Sequence, residues 1–309
     1  MTMLFRAPSK KKIILHIGLP KTGSTALQQA LYQSREALLR QGVLYPAQVH
    51  REDDPKHNFV LDLVRKGQGH DIGSERGYKA ASRIVISNEA LSNDFYHHGM
   101  EQNRQLAELL RVHGELEICM VLRRESDWLK SYYKQAVINQ PVKGKPHYQN
   151  SLPIDVFREL EPVKRLLDSG SLIQDVSAGF QAPVRVMRYE EVKVSQVIQY
   201  CTELSIDSGS LRSRHNESVS DAAVEVMRQL NAEINSIEEK CAWSNLLVQA
   251  SGAKHAVLGI LAARATPEAI LALDRAKIDS VRYFPADAPQ VDQAEFNMVL
   301  VAMKECFSN

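Results

Sequence analysis

An α/β fold built on a parallel sheet is what this sequence predicts, and three observations carry that reading. Short apolar runs recur at Ile13-Ile14-Leu15-His16-Ile17, Val43-Leu44-Tyr45, Arg83-Ile84-Val85-Ile86-Ser87, Leu116 to Leu122 and Val184-Arg185-Val186-Met187. Stretches with helical spacing are interleaved with them, around Leu106, Leu129, Val163 and Val197. The runs are mostly continuous in their apolar character, as strands buried on both faces are. Repeated β-α units of this kind predict a three-layer α/β/α core around a parallel sheet of about five strands.

The elements follow in order. The first strand stops at Gly18, and from Ser24 to about Arg40 the residues Leu27, Ala30, Leu31, Ala37 and Leu38 share one helical face that Gly42 closes. The stretch from Arg51 to Tyr78 is polar and contains glycine, which predicts a long functional loop with one short helix at Phe59 to Val64. Beyond about Asp207 the strand signals stop, and helices are expected around Val226, Leu246, Ile260 and Val299. Thr266-Pro267-Glu268 and the Asp292/Glu295 pair mark helix starts by capping chemistry. The expected organisation is an α/β core over 11–215 and a C-terminal helical subdomain or lid over 216–309.

The 309 residues are 44% hydrophobic and 24% charged, with 38 basic against 37 acidic side chains, a formal charge of +1. That balance speaks against nucleic acid or an anionic membrane as the main partner, so any anion site has to be local. The four cysteines, Cys119, Cys201, Cys241 and Cys306, have no paired spacing, which fits a reducing compartment and no metal site. Lys10, Lys11 and Lys12 precede an apolar stretch that Pro20 and Lys21 end after a few residues, too short for a signal peptide or membrane span. A cytoplasmic location is expected. Oligomeric state leaves no trace in the sequence.

Gly18-Leu19-Pro20-Lys21-Thr22-Gly23-Ser24-Thr25 lies between the first strand and the first helix. A glycine-rich turn there aims backbone N–H groups and the helix dipole at one point, Lys21 adds a full charge, and Ser24 and Thr25 add hydroxyl donors. Phosphate or sulfate is the natural ligand. The spacing is that of a P-loop, but Lys21 precedes Gly23, so the Gly-Lys-Ser/Thr order of the nucleoside triphosphatases is absent. Those enzymes hold Mg²⁺ with an acidic residue at a neighbouring strand end, whereas the run from Leu116 to Leu122 ends in Arg123-Arg124. Ser131 follows Arg123 by eight residues on the next helix, a spacing that lets guanidinium and hydroxyl converge above the sheet edge.

GLPKTGST resembles the 5′-phosphosulfate loop of the sulfotransferases that use 3′-phosphoadenosine 5′-phosphosulfate (PAPS), and LRRESDWLKSYYKQ resembles their 3′-phosphate motif. The resemblance covers roughly residues 11 to 220 and implies that Pro20, Lys21, Thr22, Gly23, Ser24 and Thr25 hold the 5′-phosphosulfate, that Arg123 and Ser131 hold the 3′-phosphate, and that no metal is obligatory. Met187-Arg188-Tyr189-Glu190-Glu191-Val192 resembles the strand end where the family often sets a tyrosine near adenine, which makes Tyr189 a candidate cofactor contact or a core residue.

Transfer to an alcohol needs a base. Glu89, in Ser87-Asn88-Glu89, resembles the carboxylate base of the carbohydrate and peptide branches of the family; the same residue would also sit well in the first turn of a helix capped by Asn88. The small-molecule branch uses histidine, and His57, His97 and His98 lie in nearby loops, His57 also as a substrate contact. The expected activity is sulfuryl transfer to a hydroxyl or amine of a saccharide or other small metabolite, with PAP as product. Two other classes stay open: a P-loop nucleotide kinase or triphosphatase, and a non-catalytic PAP- or PAPS-binding module.

Overall fold

The computed structural model describes residues 10–50, 52, 54–139, 147–205 and 221–232. In chain order the elements are β1 (Lys12–His16), α1 (Ser24–Gln33), α2 (Arg35–Arg40), β2 (Val43–Leu44), α3 (Phe59–Lys66), β3 (Arg83–Ser87), α4 (Ala90–Asn93), α5 (Phe95–His98), α6 (Met100–Arg111), β4 (Glu115–Leu122), α7 (Glu125–Ile138), α8 (Ile154–Arg158), α9 (Glu161–Leu167), α10 (Ser169–Phe180), β5 (Val184–Arg188), α11 (Val194–Thr202) and α12 (Asp221–Leu230). The five strands make one all-parallel sheet in the order β2-β3-β1-β4-β5, an α/β fold as expected. Two compact units divide the chain, Met1–Trp128 with Lys164–Ser213, and Leu129–Val163 with Arg214–Asn309.

In the first unit β1 is the central strand. Consecutive residues Ile13, Ile14 and Leu15 are all fully buried, so neither face of β1 meets water. On one face Ile14, Val85, Cys119 and Val121 pack with Leu27 and Leu31 of α1, Leu38 of α2 and Val197 and Ile198 of α11. Each such aliphatic chain contributes about 1.5–3 kcal/mol when withdrawn from water. The continuous apolar runs in the sequence are the direct imprint of this two-sided burial.

Two helical expectations needed revision. The helix foreseen from Ser24 to about Arg40 is two helices that meet at Ser34 (φ −90°, ψ 1°). Arg35 Nη1 donates to the Tyr32 carbonyl at 2.9 Å and its guanidinium lies over the Tyr32 ring, so a side chain takes a carbonyl that a continuing helix would have bonded internally. Conversely, α10 was not foreseen, because Ser169-Gly170-Ser171 reads as a break. Asp168 turns that break into a helix start by accepting from the Ser171 backbone N–H at 3.0 Å. Among the described residues, the polar stretch after Arg51 carries α3 and a 3₁₀ turn at Ile72–Ser74.

The second unit holds the rest of α7 beyond Trp128, together with α8 and α12. Tyr132 and His147, both buried, share a 2.8 Å hydrogen bond, and Asn231 donates to the Val137 and Asn150 carbonyls at 2.9 and 2.7 Å. Helix α12 is the one expected around Val226; those expected around Leu246, Ile260 and Val299, with Cys241 and Cys306, lie outside the described residues. Cys119 and Cys201 are free and buried. Among the described residues no helix is long and apolar enough to cross a membrane.

Candidate functional site

Strands β1 and β4 are neighbours, and the chain leaves them in opposite directions, from β1 toward β2 and from β4 toward β5. The carboxyl ends of such a pair bound the crevice where open parallel sheets take ligands. Residues 18–23 follow β1 and Arg123 follows β4, so topology alone brings the two cationic candidates of the first unit to one place.

The loop is sewn to β4 before it turns. Ile17 donates to the Cys119 carbonyl (3.0 Å), Val121 to Gly18 (2.7 Å) and Leu19 to Val121 (2.8 Å), continuing the parallel ladder past the end of β1. The Trp128 indole, 1% exposed, donates to the Pro20 carbonyl at 3.0 Å. Gly18 takes φ +87°, and a Cβ there would stand 2.8 Å from Glu89 Cβ, so glycine at this point is what lets the loop and Glu89 lie side by side.

Lys21 has φ +66°, a left-handed conformation that costs a non-glycine residue about 1–2 kcal/mol. Gly23 is the N-cap of α1 at φ +83°, and no side chain caps that helix. The neighbouring hydroxyls turn inward, Thr22 Oγ1 donating to the Leu19 carbonyl at 2.6 Å and Ser24 Oγ to the same oxygen at 3.4 Å. The first-turn N–H groups of α1 are therefore left for an outside acceptor, at the positive end of the helix dipole. Lys21 is exposed at the surface, yet protein atoms crowd its amine; that desolvation, then the Arg123 charge, lowers its pKa below the ordinary lysine value. An anion at this point would relieve the repulsion.

Arg123 Nη1 donates to the Lys21 carbonyl at 3.3 Å, and its guanidinium stands 5.1 Å from the centre of the Tyr189 ring. Tyr189, 39% exposed, also flanks the loop, since a Cβ on Gly23 would be 3.5 Å from Tyr189 Cε2. Glu190 Oε1 accepts from the Arg124 backbone N–H at 2.7 Å, and that bond holds its carboxyl below the ordinary glutamate range. Tyr189 is thus presented to the loop by β5 rather than packed into the core.

No protein-family model, curated protein or solved structure matches this chain.

Glu89 follows β3, partly buried beside Gly18, and accepts from Gln28 Nε2 at 2.7 Å. Asn88 Oδ1 accepts from the Ala90 N–H at 2.9 Å, but the N-cap of α4 is Glu89 itself and no side chain caps that helix, so Glu89 stands at the helix boundary and not in the first turn of a helix capped by Asn88. His57 is placed differently from its expected role as a substrate contact. It is fully buried, Nε2 donates to the Pro46 carbonyl at 3.0 Å and Nδ1 accepts from the Ser87 N–H at 3.0 Å, which leaves no ring nitrogen for a ligand. Desolvation lowers its pKa to about 4, so it stays neutral as a strut between the Pro46 turn and β3. His97 is exposed and His98 buried, both on α5.

Lys21, Gly23, Glu89, Arg123 and Tyr189 all belong to the first unit, whereas Ser131 lies in α7 within the second. Sequence reasoning passed over Trp128 and Gln28. Both carried a signal: an indole in a buried helix needs an acceptor, and Gln28 interrupts the apolar face formed by Leu27 and Leu31. Among the described residues no group of three or more His, Cys, Asp or Glu side chains is arranged to hold a metal ion.

Proposed function

We propose that this chain is a PAPS-dependent sulfotransferase that acts on a hydroxyl or amine of a saccharide or other small metabolite. The observation that carries the reading is the uncapped start of α1 beside Lys21 and the Arg123–Tyr189 stack, one anion cradle next to one cation-aromatic platform at the ends of β1 and β4. A nucleotide with phosphate at both ends of its ribose suits that pairing. When bound, PAPS supplies the sulfuryl group; the backbone N–H groups of residues 23–25 with Lys21 receive the 5′-phosphosulfate, and Arg123 receives the 3′-phosphate. Tyr189 offers its face to the adenine.

Glu89 accepts the acceptor's proton as the new O–S bond forms. The S–O bond to the 5′-phosphate breaks in line, its electron pair leaves on the phosphate oxygen, and Lys21 stabilises that charge, an effect largest where water is excluded. The finer architecture belongs to the same proposal: an α/β/α sandwich, supported by the burial of β1 on both faces, with a C-terminal helical subdomain beyond 215, in a cytoplasmic protein.

The test is transfer of ³⁵S from labelled PAPS to a panel of mono- and disaccharides and simple phenols, in EDTA. Labelled product without added metal is expected. Tight PAP binding with no product on any acceptor would make the chain a binding module, and magnesium-dependent phosphoryl transfer from ATP would make it a kinase.

A further inference from the structure

We propose that Gln28 is a positioning residue for Glu89, holding the carboxylate so that one oxygen is fixed and the other receives the acceptor's proton. The inference rests on the sulfotransferase reading above. Gln28 is 1% exposed, an amide at a helix position whose neighbours Leu27 and Leu31 belong to the core. Its nitrogen donates to Glu89 Oε2 at 2.7 Å and to Ser87 Oγ at 3.1 Å, and Ser87 Oγ in turn lies 2.8 Å from His16 Nδ1. Ser87 is fully buried and His16 1% exposed.

The Glu89 carboxylate sets the direction of the amide bonds. Desolvation lowers the His16 pKa to about 4, so the ring beside Ser87 is neutral. Ser87 Oγ accepts from Gln28, so both amide hydrogens of Gln28 are used, one on Ser87 and one on Glu89. Were the amide reversed, Gln28 Oε1 would face a carboxylate oxygen at the same distance, acceptor against acceptor. The carboxylate, which can only accept, therefore sets the donor end of the amide toward Glu89, and buried Ser87 Oγ anchors the second amide hydrogen.

A bond from a neutral donor to a carboxylate is charge-assisted and short, and it restricts a side chain that otherwise rotates freely. Glu89 Oε1 makes no hydrogen bond among the described residues. It is the oxygen left to take the proton while the acceptor oxygen bonds to sulfur and the 5′-phosphate departs with the S–O electron pair. A reacting group gains by being held in line, and a loosened base loses rate without losing substrate affinity.

The experiment uses the full chain with Gln28→Met, which keeps the volume and removes both donors, alone and combined with Glu89→Gln. PAP affinity is measured by calorimetry, and turnover as ³⁵S transferred from PAPS to water or to a saccharide acceptor. With PAP affinity unchanged, Gln28→Met is expected to lower kcat by about 10–100-fold with little change in KM, and to add less than about threefold in the Glu89→Gln background, because both changes disable one device. Undiminished turnover, or the same loss repeated after Glu89 has been changed, overturns the proposal. Should Gln28→Met not fold, Ser87→Ala removes the second anchor of the amide and is expected to lower kcat several-fold with the same non-additivity; full turnover in that variant overturns the proposal equally. Failure of the underlying reading has its own signature, an unaltered chain that neither binds PAP nor consumes PAPS, and that result removes the proposal with it.

Discussion

Two helices of the first unit begin in opposite ways. Helix α10 supplies its own anion: Asp168 accepts from the Ser171 backbone N–H at 3.0 Å and from its hydroxyl at 2.7 Å, and those bonds lower the Asp168 pKa. Helix α1 starts at a glycine with no side-chain cap, while Thr22 and Ser24, residues that would ordinarily cap, spend their hydroxyls on the Leu19 carbonyl. Both starts carry the same unpaired N–H groups and the same dipole. One is completed by the chain; the other is left open beside Lys21 and Arg123. A helix start that stays uncapped, strained and flanked by cations is where an external anion has most to contribute.

The largest break of this contrast comes at Lys21. Lys21→Ala is expected to lower sulfuryl transfer by about 10³-fold with the unfolding transition unchanged, since the residue supplies charge to the open start and nothing to the core. Near-normal turnover would close the comparison. Next in size, Glu89→Gln keeps PAP affinity and loses about 10²-fold in turnover, because the open start binds and the carboxylate works; a cap-like role would instead leave turnover intact and lower stability.

Acid sharpens the comparison from the side of the scaffold. His16 and His57 have pKa values lowered from 6.5 to about 4 by burial, so between those values the unfolded chain binds more protons than the folded one. Stability is therefore complete above pH 6.5 and is lost as pH falls toward 4, by roughly 3 kcal/mol per ring, a slope that denaturant titration at several pH values would read. A flat profile over that window would mean that the two rings are not buried neutral. The smallest effect belongs to Asp168→Ala, which should lower Tm modestly and leave unchanged the gain in stability on adding PAP, about 2.7 kcal/mol at a hundredfold excess over Kd.

Much of this was written in the sequence. The strands were legible because two-sided burial forces continuous apolar runs, and β3 came out with its bounds unchanged at Arg83–Ser87. The loop was legible because Gly18 and Gly23 mark two of its positive-φ positions, although the third, at Lys21, carries no such mark. The break at Ser34 was not, since it depends on Arg35 reaching back to Tyr32, and α10 was hidden because Ser169-Gly170-Ser171 signals a turn unless the Asp168 bond is seen. At the site, His57 looked like a loop histidine, and only the fold shows both its nitrogens bound to backbone. Gln28 and Glu89 are far apart in the chain, so their bond required the register of β1 with β3.

The claim on which the rest depends is that the open start of α1 and the Arg123–Tyr189 platform take one doubly phosphorylated nucleotide. Calorimetric titration of the full chain in EDTA, with PAP and with adenosine 5′-phosphosulfate, tests it most directly, repeated with Arg123→Ala. The account predicts that PAP binds without metal, and that Arg123→Ala weakens PAP by about 10–100-fold while changing the affinity for adenosine 5′-phosphosulfate, which lacks the 3′-phosphate, far less. An equal loss for both nucleotides, or no PAP binding by the unaltered chain, would contradict it.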